Sequence, residues 1–269
     1  MNNSRVTAKQ LRQALRKREI VPWYQPVVDA NGQVTGVEVL ARWLRKGAPR
    51  VSPDTFIPLA MEAGLIVPLT RQLMRQTARE LSSRVKWLPQ PFSVGFNMPA
   101  VCLKDSALPL HCRRFLSSFP PFVKLVLEVS ERDAAPDLYQ AADTLTALIR
   151  DGIDVALDDF GTGWANLNLL CRLPLTTIKL DRMFCTGAPG SAESMTAAAA
   201  MRLARSLGMR VLAEGVESLA QVRRMRALGA SAFQGFYFSP PVSIHRLIWR
   251  ILPGALGLGG ESVRLLGHS

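Results

Sequence analysis

The 269-residue chain has no stretch approaching the ~18–20 uninterrupted apolar residues of a membrane-spanning helix. Its first residues, MNNSRVTAKQLRQALRKREI, lack the apolar core of a secretory signal peptide. A soluble, cytoplasmic protein is expected. Cysteine is sparse. Cys102, Cys112, Cys171 and Cys185 stand apart with no C-x-x-C pair, which argues against a disulfide framework and for reduced thiols. His111-Cys112 has zinc-ligand character, but incidental thiols are the expectation. No zinc-finger, helix-turn-helix or aromatic RNA-binding pattern accompanies the formal net charge of +12. No polymeric nucleic acid is therefore expected as a partner, whereas a small phosphorylated ligand suits the charge. No break in composition marks a linker, and a hydrophobic content of 48% supports one large core.

Six short apolar runs each end in an acid, an amide or an amine: VTGVEVL, FSVGFN, VKLVLEVSE, DVALDDFGTG, TTIKLDR and RVLAEGVE. Short β-branched runs of this kind read as buried strands. A polar group at the end of each sits where a parallel β/α barrel keeps its chemistry, on the carboxyl-end face. These groups are Glu38, Asn97, Glu128, Asp158, Asp159, Lys179 and Glu214. Five carboxylates, one amide and one amine on a single rim suggest a site for divalent metal ions. Hard oxygen donors favour magnesium or manganese.

The pattern predicts a basic amphipathic helix over 6–19, then a strand VPWYQPVVD, a hairpin signal at Asn31-Gly32 and a second strand VTGVEVLARW. The first two strands are thus expected to pair antiparallel. A helix is predicted around SPDTFIPLAMEAGLI, opened by Ser52-Pro53-Asp54, and another over roughly 68–84. Strands at 92–97, 123–129, 153–158, 176–180, 209–213 and near 231–237 then alternate with helices around 110–118, 137–151, 165–172, 192–207 and 218–228. Alternation of this kind favours a parallel sheet. The expected fold is α/β, a TIM-like (β/α)8 barrel with an irregular antiparallel first strand, forming one domain over 1–252. IHRLIWRILPG begins helix-like and is broken at Pro253, so 253–269 is expected to be a C-terminal tail. Leu247, Ile248, Trp249 and Ile251 are expected to pack on the barrel bottom rather than meet a membrane or a partner.

Asp158-Asp159, followed by Phe160-Gly161-Thr162-Gly163, is the sharpest local feature. Adjacent residues of a continuing strand point to opposite faces. At a strand end the chain can turn, and both acids can then reach a metal pair. The glycines allow the backbone to approach a ligand closely. The same run also reads as an Asp-rich turn capping the next helix. Two ions held ~3.5–4 Å apart can clamp the attacking and leaving oxygens of an in-line phosphoryl displacement. Lys179 can orient or help activate the attacking water.

The segments WYQPVVD, GVEVLARW, FIPLAMEAGLI, FNMPA, LEVSE, LDDFGTGWANLNLL, LPLTTIKLDRMF, LAEGVES and FQGFYFSPPV together resemble the EAL domain, the family that hydrolyses the bacterial messenger cyclic di-GMP. The resemblance runs through nearly the whole chain. It implies metal-dependent opening of cyclic di-GMP to linear pGpG, with magnesium or manganese and two ions per active site. Glu38 would be the acid of the signature and a metal ligand, completed by Asn97, Glu128 and Asp158. Asp159 would sit by the second metal, Lys179 beside the attacking water, and Glu214 would act as general base or support the second metal. Glu131 would anchor the loop after Asp159, with Glu217 a nearby acid grouped with it. Gln25, Leu40, Arg42 and Gln234 match positions near the dinucleotide, Arg42 meeting a phosphate with paired donors.

Three departures from the family pattern stand out. The signature reads Glu38-Val39-Leu40, with valine where alanine is usual; Val39 alternates away from the metal side. Gly163-Trp164-Ala165-Asn166 replaces tyrosine and serines in the loop tied to dimer contacts, and Ser239-Pro240-Pro241 replaces a frequent arginine. A homodimer is the family-based expectation, and no sensory, receiver or cyclase segment is expected. The rival reading is a catalytically silent module that binds cyclic di-GMP or a regulatory protein partner.

Overall fold

The computed structural model describes residues 6–252, apart from 46, 48, 132–140, 162–166 and 189, and the side chains of 167 and 168. The expected tail over 253–269 and the substituted loop at 163–166 lie outside the described residues.

Helix α1 (Ala8–Lys17) is opened by a reciprocal cap between Thr7 and Gln10 and closed by Arg18 in the left-handed conformation, which makes it shorter at both ends than its amphipathic pattern. Strands β1 (Ile20–Asp29) and β2 (Val34–Trp43) then pair antiparallel, from Ile20 opposite Trp43 to Val28 opposite Val34. The hairpin closes on Asp29, whose Oδ1 accepts from the N–H groups of Asn31 and Gln33 at 2.8 and 2.9 Å. Helix α2 (Pro53–Glu62) starts at Pro53 as predicted but stops before Ala63, and α3 (Ile66–Ser82) follows after Gly64 at φ +64°. The first of two predicted helices therefore ends earlier, and the second begins earlier, than the hydrophobic pattern alone placed them.

Strands β3 (Phe92–Asn97), β4 (Val123–Ser130), β5 (Asp154–Phe160), β6 (Thr177–Leu180), β7 (Arg210–Ala213) and β8 (Ala232–Phe233) continue in chain order. The eight close into a barrel, parallel from β2 to β8, with β1 antiparallel to both of its neighbours. This is the (β/α)8 architecture with the irregular first strand that the sequence predicted. Between the strands lie α4 (Ala100–Leu103), α5 (Leu108–Leu116), α6 (Ala142–Arg150), α7 (Leu167–Arg172), α8 (Arg182–Thr186), α9 (Ala192–Ser206) and α10 (Leu219–Leu228), with α11 (Ile244–Ile251) after β8. Helix α5 begins at Leu108 because Pro109 occupies its first turn. The short helices α4 and α8 carry too few turns to show a period, and the sequence reading missed them.

Alternate residues of the strands supply the core. Val94, Leu125, Leu127, Val155, Leu157, Ile178 and Val211 are all buried. On the outer side of β1, the buried Tyr24 phenol donates to Glu80 Oε2 of α3 at 2.7 Å, fastening the antiparallel hairpin to the helical layer. Helix α11 packs against β1 through buried Ile244 and Leu247, while Trp249 stays exposed. Among the described residues no helix is long and apolar enough to cross a membrane.

Candidate active site

The strand registers bring the predicted polar residues to one level of the barrel. Glu38 of β2 pairs with Gly95 of β3, Asn97 with Glu128 of β4, and Ser130 with Asp158 of β5. Glu214 follows β7 directly, its N–H donating to Leu180 O at 3.0 Å. At the centre lies Lys179, only 1% exposed. Its ammonium meets Glu128 Oε2 at 2.7 Å, Glu214 Oε1 at 2.9 Å, Asp158 Oδ1 at 3.1 Å and Glu38 Oε2 at 3.5 Å. One lysine thus joins carboxylates of β2, β4 and β5 and a fourth just past β7.

Two flanking amides fix the orientation of Glu38. Asn97 Nδ2 donates to Oε1 at 2.7 Å, and Gln234 Nε2 donates to Oε2 at 2.6 Å. Gln234 Oε1 is buried with no hydrogen-bond partner among the described residues. Glycine at position 95 opens room for Glu128, since a Cβ there would stand 2.1 Å from Oε1.

The two adjacent aspartates are handled differently from expectation. Strand β5 does not end before them but runs through Phe160. The turn is made within the strand: the register against β6 shifts between Leu157 and Phe160, and Asp159 takes φ +56°. This bulge breaks the strict alternation of faces, and Asp159 N–H donates to Asp158 Oδ1 at 2.9 Å. Oxygens of Asp158, Asp159 and Glu214 lie within 4.8 Å of one another. Beyond them, Glu131 Oε2 accepts from Gly161 N–H at 2.7 Å, and Glu131 N–H donates to Asp158 O at 3.1 Å. Glu131 therefore ties the exit of β5 to the end of β4.

Charge is unbalanced here. Four carboxylates around a single ammonium would, if all were ionised, leave an excess of negative charge. Burial pushes Glu128 up to about 8; Lys179 opposes the shift, and Glu38 and Asp158 add to it. Glu214 is raised by burial too, again against Lys179 and with Asp158 and Glu38 adding. Burial alone would discharge Lys179, but Glu128, Glu214, Glu38 and Asp158 outweigh it and hold the ammonium well above its ordinary value. A cluster of hard oxygen donors with surplus negative charge fits a divalent cation of the magnesium or manganese type.

A cleft of about 300 Å³ opens above this ring. Glu38, Asp158, Glu214 and Glu217 reach it from the acidic set, and Gln25, Leu40 and Gln234 from the expected ligand-facing set. Gln25 Nε2 donates to Ser239 O at 3.5 Å. Arg42, two residues beyond Leu40 on the same strand face, lies with its guanidinium 5.8 Å from the centre of the Trp23 ring. Burial lowers the Arg42 pKa, Glu38 works against that, and Arg50 adds to it. Arg182 and the 66% exposed Phe236 also line the cleft. Sequence reasoning missed both. Arg182 sits on the unpredicted α8, and Phe236 lies past the end of β8, which stops at Phe233 where the sequence pattern carried a strand to about 237.

Comparison with known proteins places this geometry. The chain is 39% identical over 254 residues to the probable cyclic di-GMP phosphodiesterase PdeG of Escherichia coli (strain K12), covering 93% of this chain and 50% of that protein. It is 38% identical over 248 residues to the cyclic di-GMP phosphodiesterase PdeL of the same organism, covering 90% and 68%. It thus spans about half the length of the first relative and about two thirds of the second. Among solved structures, the PaMucR phosphodiesterase in complex with c-di-GMP superposes with a TM-score of 0.80 at 32% identity, covering 89% of this chain and 98% of that one. The profile described as EAL domain matches residues 8–241, a span that takes in all eight strands and every member of the lysine-centred ring, and the chain belongs to that family.

Proposed function

We propose that this chain hydrolyses cyclic di-GMP to linear 5′-pGpG as a metal-dependent phosphodiesterase. The observation that carries the reading is the set of four carboxylates gathered on Lys179 at the floor of the cleft, in a chain whose relatives are named for this activity. EAL phosphodiesterases are metal dependent, and the acidic cluster is the feature of this chain that suits an ion.

In this reading Glu38, Asn97, Glu128 and Asp158 hold one magnesium or manganese ion, and Asp158, Asp159 and Glu214 hold a second. When bound, such ions polarise the phosphoryl oxygen, lower the pKa of the attacking water and stabilise the leaving 3′ oxygen. The remaining work belongs to the protein. A water attacks one phosphorus in line, the P–O3′ bond breaks, and the second phosphodiester stays intact. Lys179 orients the water by donating to it, Glu214 takes its proton, and the departing O3′ takes a proton from solvent to become the free 3′-hydroxyl of pGpG. Gln234 fixes Glu38 through one amide nitrogen and leaves its unpartnered oxygen to accept from a guanine edge. Gln25 and Leu40 shape the wall, and Arg42 offers paired donors to a phosphate. Glu131 positions the Asp158-Asp159 bulge through Gly161, with Glu217 at the rim.

The same reading assigns the catalytic unit to residues 1–252, a cytoplasmic location and a homodimer. Incubation of the purified chain with cyclic di-GMP and Mg2+ or Mn2+, with products separated by chromatography, tests it. Formation of pGpG that is lost with chelator and in Glu38→Ala is expected. Saturable binding without turnover in either metal would instead establish a silent receptor module.

A further inference from the structure

Helix α8 spans only Arg182–Thr186, yet it touches both backbone stretches that carry the oxygen cluster of Asp158, Asp159 and Glu214. It starts one residue past the end of β6, after Asp181 caps it by accepting from Met183 N–H at 2.8 Å. Phe184, 2% exposed, lies against Gly161, two residues beyond Asp159. A Cβ on Gly161 would stand 2.4 Å from the ring Cζ. Arg182 lies against Gly215, the residue after Glu214, where a Cβ would stand 2.3 Å from that of Arg182. Both glycines have positive φ, +90° and +60°, so each contact is closed to a larger residue by conformation as well as by space. Side chains two positions apart on a helix diverge by ~200°. Helix α8 therefore meets the exit of β5 with one face and the exit of β7 with the other.

The far end of α8 is held by α10. Arg224 donates through Nη2 to Phe184 O at 3.2 Å and to Cys185 O, and through Nη1 to Gly187 O. The last carbonyls of a helix have no partner within it, and a basic side chain can satisfy them. Among the described residues Arg224 has no ion pair, and its Nε is buried with no hydrogen-bond partner. All side-chain hydrogen bonds of Arg224 among the described residues thus go to the end of one short helix. We propose that Arg224 is a positioning residue for the Asp158-Asp159-Glu214 cluster. By pinning α8 it fixes the separation of those acids, through Phe184 on Gly161 and through Arg182 on Gly215. The inference rests on the metal-dependent reading above.

Manganese titration of the full chain without nucleotide tests this, with free Mn2+ read by electron paramagnetic resonance. The titration is run at a temperature where circular dichroism shows every variant folded. Arg224→Met should weaken Mn2+ binding about tenfold. Loss of a positive charge alone would tighten a cation, so the expected change has the opposite sign to a simple charge effect. Arg223→Met, at the exposed neighbouring position, should bind at least as tightly as the parent. Arg224→Lys, which keeps a donor for the carbonyls, should recover part of the affinity. Phe184→Leu, which shortens the ring behind Gly161, should weaken binding about threefold or more, and it decides the matter if Arg224→Met does not fold. The idea fails if the parent binds Mn2+ and the Arg224→Met and Phe184→Leu chains bind it equally well. It fails too if Arg224→Met lowers the melting temperature without moving Mn2+ affinity, since Arg224 would then be a clamp for stability alone. A parent chain that binds no Mn2+ would overturn the metal-dependent reading itself, and this inference with it.

Discussion

The α-carbon of Gly95 lies against the carboxylate of Glu128, so that a methyl group added to it would stand 2.1 Å from Oε1 and 3.1 Å from the carboxyl carbon. Gly95 also pairs with Glu38 across the β2–β3 ladder. A residue with no side chain therefore makes the room that one acid of the Lys179 ring occupies and lies beside another. Gly95→Ala is expected to push Glu128 off the ammonium, with activity falling by about a hundredfold or more and a stability cost of about 1–3 kcal/mol from overpacking. Steady-state kinetics beside urea unfolding would check it. Near-parental turnover would mean that Glu128 can relocate without consequence.

Lys179 is the internal counter-ion for Glu128, Glu214, Asp158 and Glu38. Removing one partner of a buried ionic cluster leaves the others uncompensated, at a cost of about 3–5 kcal/mol. Lys179→Met should therefore unfold at clearly lower urea in chelator than the parent does. Manganese should restore part of that stability, because the ion takes over the neutralising role, while hydrolysis stays abolished. Equal stability of parent and variant in chelator would show that the acids do not need the ammonium.

Two guanidinia approach the Trp23 ring, Arg42 at 5.8 Å and Arg50 at 4.9 Å from its centre. Arg50 is held there by the bridge between the following Val51 and Trp43. Arg50 therefore reinforces positive potential beside the wall that Leu40 gives to the cleft. If cyclic di-GMP is the substrate, Arg50→Ala should raise KM by about twofold to fivefold with kcat unchanged, and Arg42→Ala should raise it by about tenfold. A fall in kcat without a change in KM for Arg50→Ala would place that residue in the chemistry instead.

What the sequence made legible was the ring, and the reason is physical. A buried strand is written as a short β-branched run, and its polar last residue has one place to go in a parallel barrel. Asn97 ends β3, Glu214 follows β7, and Glu128 and Lys179 stand near the ends of β4 and β6, whereas Glu38 lies inside β2, near the point where its pairing with β3 stops; all reach one level in the structure. The Asp158-Asp159 pair departs from that grammar. Its geometry depends on a bulge inside β5, which is set by register with β6 and leaves no local pattern. Gly95 was silent for a similar reason, since an absent side chain announces nothing about the neighbour that fills its space. Arg182 and Phe236 belong to segments too short for a period of two or of 3.6 to appear. The break between α2 and α3 was expected but placed a few residues late, because hydrophobic residues continue across Gly64.

The four cysteines separate sharply by environment. Cys102, Cys112 and Cys185 are buried, and Cys171 on α7 is exposed. Burial pushes both Cys112 and Cys185 up to about 12, which leaves them as neutral thiols at pH 8. Only the thiolate attacks a disulfide reagent, so burial and protonation act in the same direction. Titration of the native protein with a chromogenic disulfide near pH 8 should show one fast thiol, removed by Cys171→Ser, and all four only after unfolding. Because Cys112 is a buried residue of α5, its slow reaction also reports on the closure of that helix against the barrel. Rapid reaction of a second thiol in Cys171→Ser would show that one of the packed helices opens faster than its burial implies.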